Sequence, residues 1–98
     1  MATRYRLTRA AADDMVAIYL AGVDMFGPVQ AESYSDGLES TFRFLADYPQ
    51  AARLRAEMAR PVRAHPYKSH LIIYCADQGG ILIIRIRHAR EDWLAQTD

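Results

Sequence analysis

The stretch HLIIYCADQGGILIIRIRH, residues 70–88, decides the fold. It contains two β-rich apolar runs, His70–Ala76 and Ile81–His88, joined by Asp77-Gln78-Gly79-Gly80. That joint is hairpin chemistry by length and composition, because glycine reaches positive φ at little steric cost. In the first run Leu71, Ile73 and Cys75 occupy one phase, while Ile72 and Tyr74 occupy the other. Apolar residues at both phases predict a strand covered on both faces. In the second run Leu82, Ile84 and Ile86 fall on one phase, and Ile81, Ile83, Arg85 and Arg87 on the other. Strict alternation therefore predicts a sheet face that begins apolar and ends basic.

Immediately upstream, Val62–Pro66 is a third β-rich run, separated from the hairpin by Tyr67-Lys68-Ser69. The three runs predict a meander. Before Pro61 the period changes. The segment Gln50–Arg60 shows no clean apolar face and reads as a connection with one or two helical turns at most.

The first half of the chain is helical in pattern. Tyr5–Leu7 is a short candidate strand, and Thr8 behind it can cap a helix with its hydroxyl. Ala11, Met15, Ile18, Gly22 and Met25 then recur at helical spacing, with Asp13 and Asp14 near the positive end of the helix dipole. A second stripe, Ala12, Val16, Tyr19, Leu20, Val23 and Phe26, runs beside the first, so this helix has more apolar surface than one sheet contact needs. Gly27-Pro28 ends it and opens another helix carrying Ala31, Tyr34, Leu38, Thr41, Phe42 and Leu45 in register, which stops near Tyr48-Pro49. So tight a joint predicts an antiparallel helix hairpin. Phe44 lies off the stripe, at a rim or on a binding surface.

The expected fold class is α+β: a short N-terminal strand and a helix hairpin packed on one face of a mainly antiparallel sheet. At 98 residues the chain makes one domain, 1–98, and 51% apolar content can form a core without disulfides or metal. The single cysteine, Cys75, inside an apolar run, reads as a buried hydrophobe in a reducing compartment. Met1 to Arg6 show no signal-peptide pattern, and no run approaches a membrane span, so a cytoplasmic protein is expected.

Net charge is zero but unevenly distributed. Seven arginines and Lys68 between Arg53 and Arg90 face only Glu57 and Asp77, whereas Met1–Ala52 holds four arginines against seven acids. Arginine pairs bidentately with carboxylate or phosphate, so a basic half built from it suggests an anionic partner. Solvated surface is the alternative for any one of these arginines. His65, His70 and His88 have no cysteine or carboxylate at metal-ligand spacing, Gly79-Gly80 enters a strand rather than a helix, and Ser69 sits in a turn. No metal or cofactor is expected. Direct DNA binding is disfavoured, because the helices carry the acidic half of the charge.

Several local signatures occur in the order seen in a known family. They are Tyr5-Arg6-Leu7-Thr8 with Ala11 and Asp14, Phe26-Gly27 followed by Gln30-Ala31 and Tyr34, and Leu45-Ala46 with Pro49. Val62-Arg63, His70 with Ile72 and Tyr74, and the closing Ile84-Arg85-Ile86-Arg87-His88-Ala89-Arg90-Glu91-Asp92-Trp93 complete the set. In this order the chain resembles the ParE branch of the ParE/RelE toxin superfamily over almost its whole length. The resemblance implies a cytoplasmic toxin that poisons DNA gyrase and is neutralised by a ParD-like antitoxin, with two copies of each in the complex. The candidates for gyrase contact are Arg85, Arg87, His88, Arg90 and Trp93. Those for antitoxin binding are Val16, Tyr19, Leu20, Val23, Phe44 and Arg63.

RelE relatives share the fold but cut messenger RNA on the ribosome, which makes an enzyme the alternative. Such cleavage needs proton carriers and cations on the developing charge. His88 could carry the proton, with Arg63, Arg85 and Arg87 on the phosphate and Glu57 or Tyr67 as a second carrier. Overall neutrality, and the absence of a tyrosine or second histidine beside His88 in sequence, weigh against this reading. Arg85 also has an internal reading, as partner of a carboxylate within the fold. His88 has one too, as a hydrogen-bonded strand-end residue, and Trp93 as closure of the core edge.

Overall fold

A computed structural model describes residues 4–55 and 61–90. The elements are β1 (Tyr5–Leu7), α1 (Arg9–Phe26), α2 (Pro28–Asp47), β2 (Leu54–Arg55), β3 (Val62–Tyr67), β4 (His70–Asp77) and β5 (Gly80–His88). The strands form one sheet in the order β1-β5-β4-β3-β2. β3, β4 and β5 make the expected antiparallel meander. β1 joins it parallel to β5, with Tyr5 opposite Ile81 and Leu7 opposite Ile83. Charged Gln50–Arg60 does not supply helical turns in its described part. Leu54 and Arg55 instead pair with Arg63 and Val62 as a two-residue edge strand.

Thr8 caps α1 as its position predicts, its hydroxyl accepting from the Ala11 N–H at 3.0 Å. Asp13 and Asp14 fall beyond the first helical turn, because α1 starts at Arg9. Gly27, at φ 91, ends α1 in a region that a β-carbon disfavours, and Pro28 opens α2 at once. The helices approach closely where a β-carbon on Gly22 would stand 3.2 Å from Ala31 Cβ.

The core lies between the hairpin and one sheet face. Leu38, Phe42 and Leu45 of α2 and Ala11 of α1 pack on Ile72, Tyr74, Ile81, Ile83 and Ile86. Each large side chain in this set contributes about 1.5–3 kcal/mol through burial. Tyr5 closes the β1 edge against Phe42, ring to ring at 5.4 Å. On the opposite face Val62 and Ile73 are buried, with Ala64, Leu71 and Ile84 packed on them part-exposed. β4 is therefore covered on both sides at Ile72, Ile73 and Tyr74, as apolar residues at both of its phases predict.

Two parts of the pattern fail. Met25, placed on the inner stripe of α1, is 71% exposed, as are Phe26 (64%) and Val29 (83%) around the hairpin turn. Helical spacing marks a face, but at the hairpin tip no described residue covers it. The alternation in β5 also breaks: Ile86 packs into the main core with Ile81 and Ile83, while Ile84 joins the opposite cluster.

Candidate functional site

The break in β5 is a β-bulge. Ile73 of β4 pairs with Arg85 while the next residue, Tyr74, pairs with Ile83, so Ile84 has no opposite residue. One inserted residue shifts every later side chain by half a period. Ile86 consequently turns into the core, Arg87 lies opposite Leu71, and His88 lies opposite His70.

The N-terminal part of α1 holds this bulge. Thr8 donates its N–H to the Ile83 carbonyl at 3.0 Å and its hydroxyl to the Ile84 carbonyl at 2.7 Å. Asp14 accepts from the Arg85 guanidinium through both carboxylate oxygens, at 2.8 and 3.0 Å, and from the Ile86 N–H at 2.9 Å. The pair is part-buried, with side-chain exposures of 27% for Arg85 and 15% for Asp14. Arg85 is thus engaged inside the fold, the internal reading its sequence position allowed.

Beyond the bulge the strand ends meet in a small aromatic and imidazole cluster. The His70 and His88 rings lie edge to face, centroids 5.4 Å apart. The Tyr34 hydroxyl of α2 stands 2.8 Å from His70 Nδ1, and burial pushes this phenol above its ordinary pKa. Tyr67 packs edge-on against Tyr34 at 5.2 Å, and Lys68, at φ 50 in the two-residue turn, places its ammonium over both rings. His88 Nδ1 accepts from the Arg90 N–H at 3.2 Å. Arg87 is half-buried, and His88 and Arg90 are exposed. Glu57 and Trp93 lie outside the described residues.

The six antitoxin-binding candidates fall on two different features. On α1, Val16 (58%) and Leu20 (60%) are exposed, with Tyr19 and Val23 half-buried beside them. Phe44 and Arg63 instead line an open cleft with Arg4, Tyr48 and the β4–β5 turn, and the four α1 residues take no part in its lining. Phe44 stacks near Tyr48 and His65, at 5.3 and 6.0 Å. Arg63 donates to the Ala52 carbonyl at 2.7 Å, holding the loop before β2.

Of the set proposed for phosphodiester cleavage, Arg63 and Arg85 are drawn to different internal acceptors, Ala52 and Asp14. What the structure brings to His88 is His70, whose Nδ1 in turn meets the Tyr34 hydroxyl, and neither His70 nor Tyr34 is a site candidate by sequence. Hairpin symmetry alone does not signal this meeting: a turn at residues 78 and 79 sets His70 opposite Arg87, and it is the bulge at Ile84 that brings His88 into line. Thr8 and Asp14 were likewise visible only as a cap and a helix-end charge.

Comparison with known proteins agrees with this architecture. The family model described as ParE toxin of type II toxin-antitoxin system, parDE, matches residues 5–93. Among solved structures, a chain from the chromosomal ParDE toxin–antitoxin system of P. aeruginosa superposes with a TM-score of 0.74. It is 25% identical in sequence, and the match covers 88% of this chain and 95% of that one. No curated protein matches in sequence. No helix among the described residues is long and apolar enough to cross a membrane. With a family match from β1 through the end of β5 and a shared fold, this chain belongs to the ParE toxin family of type II toxin–antitoxin systems.

Proposed function

We propose that the chain arrests growth by poisoning DNA gyrase in the cytoplasm and is neutralised by a ParD-like antitoxin in a complex with two copies of each. Family membership over residues 5–93 is the observation that carries this reading. Gyrase contact falls to the segment after the bulge: Arg87, His88, Arg90 and Trp93, with Arg85 behind them as a support. The antitoxin covers the exposed stripe of Val16 and Leu20 with Tyr19 and Val23, and reaches the cleft at Phe44 and Arg63. The exposed apolar area on α1 supports this, since large uncovered apolar side chains on a small domain mark an interaction surface. A segment that orders as it binds can wrap both features.

One observation favours a second reading, cleavage of messenger RNA on the ribosome. His70, His88 and Tyr34 form a group of proton-carrying side chains at one sheet end. Against it, Arg63 and Arg85 are engaged internally and no longer converge on a phosphate. The test is induction in cells of the wild type and His88→Ala, following DNA-damage signalling beside transcript integrity. Growth arrest with DNA breaks and intact transcripts supports the gyrase reading. Cut transcripts with intact DNA, abolished by His88→Ala, overturn it.

A further inference from the structure

We infer that Thr8, Asp14 and Arg85 form a clamp that fixes the bulge at Ile84 and thereby aims the toxic end of β5. They are positioning residues. The inference rests on the proposal that the segment from Arg87 onward meets the target.

A bulge frees backbone groups from the ladder, and each needs another partner. Here α1 supplies them on both sides of the insertion. Thr8 takes the Ile84 carbonyl through its hydroxyl, beside an N–H bond to the Ile83 carbonyl that continues the β1–β5 ladder, and Asp14 takes the Ile86 N–H. The same Thr8 oxygen accepts from Ala11, so helix capping and bulge capping are one feature. Arg85 adds two charge-assisted bonds to Asp14, which fix the carboxylate toward the strand. One short turn of chain thus decides the phase of everything after Ile84. Without the bulge, continuous alternation would send Ile86 away from the core and reverse the facing of Arg87 and His88. It would also separate His88 from His70, with which it now packs at 5.4 Å.

The geometry explains why three residues remote in sequence go together. Asp14 and Arg85 are 71 positions apart, and Thr8 and Ile84 are 76 apart, yet all four meet at this bulge. None of the three needs to touch a target to be required for toxicity.

The test uses the full chain carrying Asp14→Asn, Thr8→Val or Thr8→Ser, with Phe42→Leu as a core control destabilised to a similar Tm. Three quantities are read: Tm, hydrogen exchange at the Ile86 amide, and the inducer level that arrests growth. Expected for Asp14→Asn is a folded protein with Ile86 exchange raised roughly tenfold. Growth arrest should weaken roughly tenfold, as befits a site left present but loosely aimed. Thr8→Val should follow it, Thr8→Ser should restore activity, and Phe42→Leu should keep most of its toxicity. The inference is overturned if Asp14→Asn retains full toxicity, or if toxicity falls only in step with Tm as in Phe42→Leu. Growth arrest is scored whatever the target, so wild-type arrest without DNA breaks would remove the gyrase reading while leaving the clamp to stand or fall on its own variants.

Discussion

Replacing Gly37 with alanine sets two opposed effects against each other, and the structure decides the sign. Gly37 lies inside α2, where alanine in place of glycine favours the helix by about 1 kcal/mol. Yet the Tyr67 hydroxyl occupies the space a β-carbon would take, and Tyr67 Cζ would stand only 2.7 Å from it. Tyr67 must swing out. It is half-buried, so displacing it forfeits roughly half of the 3–5 kcal/mol typical of aromatic truncation, about 2 kcal/mol. Its edge-on contact with Tyr34 at 5.2 Å adds about 0.5–1.5 kcal/mol. The net expectation for Gly37→Ala is a loss of about 1.5–2.5 kcal/mol, a fall of roughly 6–20 °C in Tm for a chain of this size. In a Tyr67→Ala background the obstruction is gone, and the same substitution should stabilise by about 1 kcal/mol. Urea melts of the four proteins in this cycle measure both numbers. A Gly37→Ala variant that stabilises the wild type, or one with the same effect in both backgrounds, would mean that Tyr67 is no obstruction.

Three further outcomes follow from other parts of the molecule. Tyr74→Phe removes a hydroxyl that donates to the Pro49 carbonyl at 2.9 Å and accepts from the Ala52 N–H at 3.4 Å, and should cost about 1–3 kcal/mol in a urea melt. Burial pushes the Tyr74 phenol up, so the stability it holds below about pH 10 is lost as pH rises beyond that value, and the Phe variant should show a shallower alkaline loss. At Gly80 a β-carbon would come within 2.6 Å of the Arg4 carbonyl carbon. Gly80→Ala should therefore detach β1 at a cost of about 3 kcal/mol or more, and open the Ile81 amide, which donates to Arg4 at 2.9 Å, to hydrogen exchange. Leu20→Lys, on the exposed stripe of α1, should change stability by less than about 0.5 kcal/mol while weakening antitoxin binding about tenfold or more by calorimetry. Unchanged affinity would remove α1 from the antitoxin surface.

The elements were legible because their periods are clean. Leu38, Phe42 and Leu45 announce α2, and the continuous apolar run around Ile72 to Tyr74 announces a strand covered twice. The bulge was not legible. It falls at Ile83-Ile84, where any phase reads as apolar, and the groups that select it, Thr8 and Asp14, lie in another element. β2 escaped for a different reason: two residues amid charges carry no periodicity, and their pairing with Val62 and Arg63 is a tertiary event. Arg85 shows the limit most plainly. In sequence it is one of a basic series with Arg87, whereas in space a carboxylate from α1 takes it out of that series. The family, by contrast, was readable from the joint order of many short signatures, from Tyr5-Arg6-Leu7-Thr8 at one end to the Ile84–Trp93 segment at the other, most of them core or turn residues that are weak signals singly.

Gyrase poisoning is tested most directly by incubating purified gyrase, supercoiled plasmid and nucleotide with the full chain, then measuring linear DNA after protein denaturation. Linear DNA should accumulate with toxin concentration, disappear when the antitoxin is added first, and be reduced by Asp14→Asn. Unbroken DNA at every toxin concentration, with ribosome-bound transcripts cut by the same preparation, would contradict it.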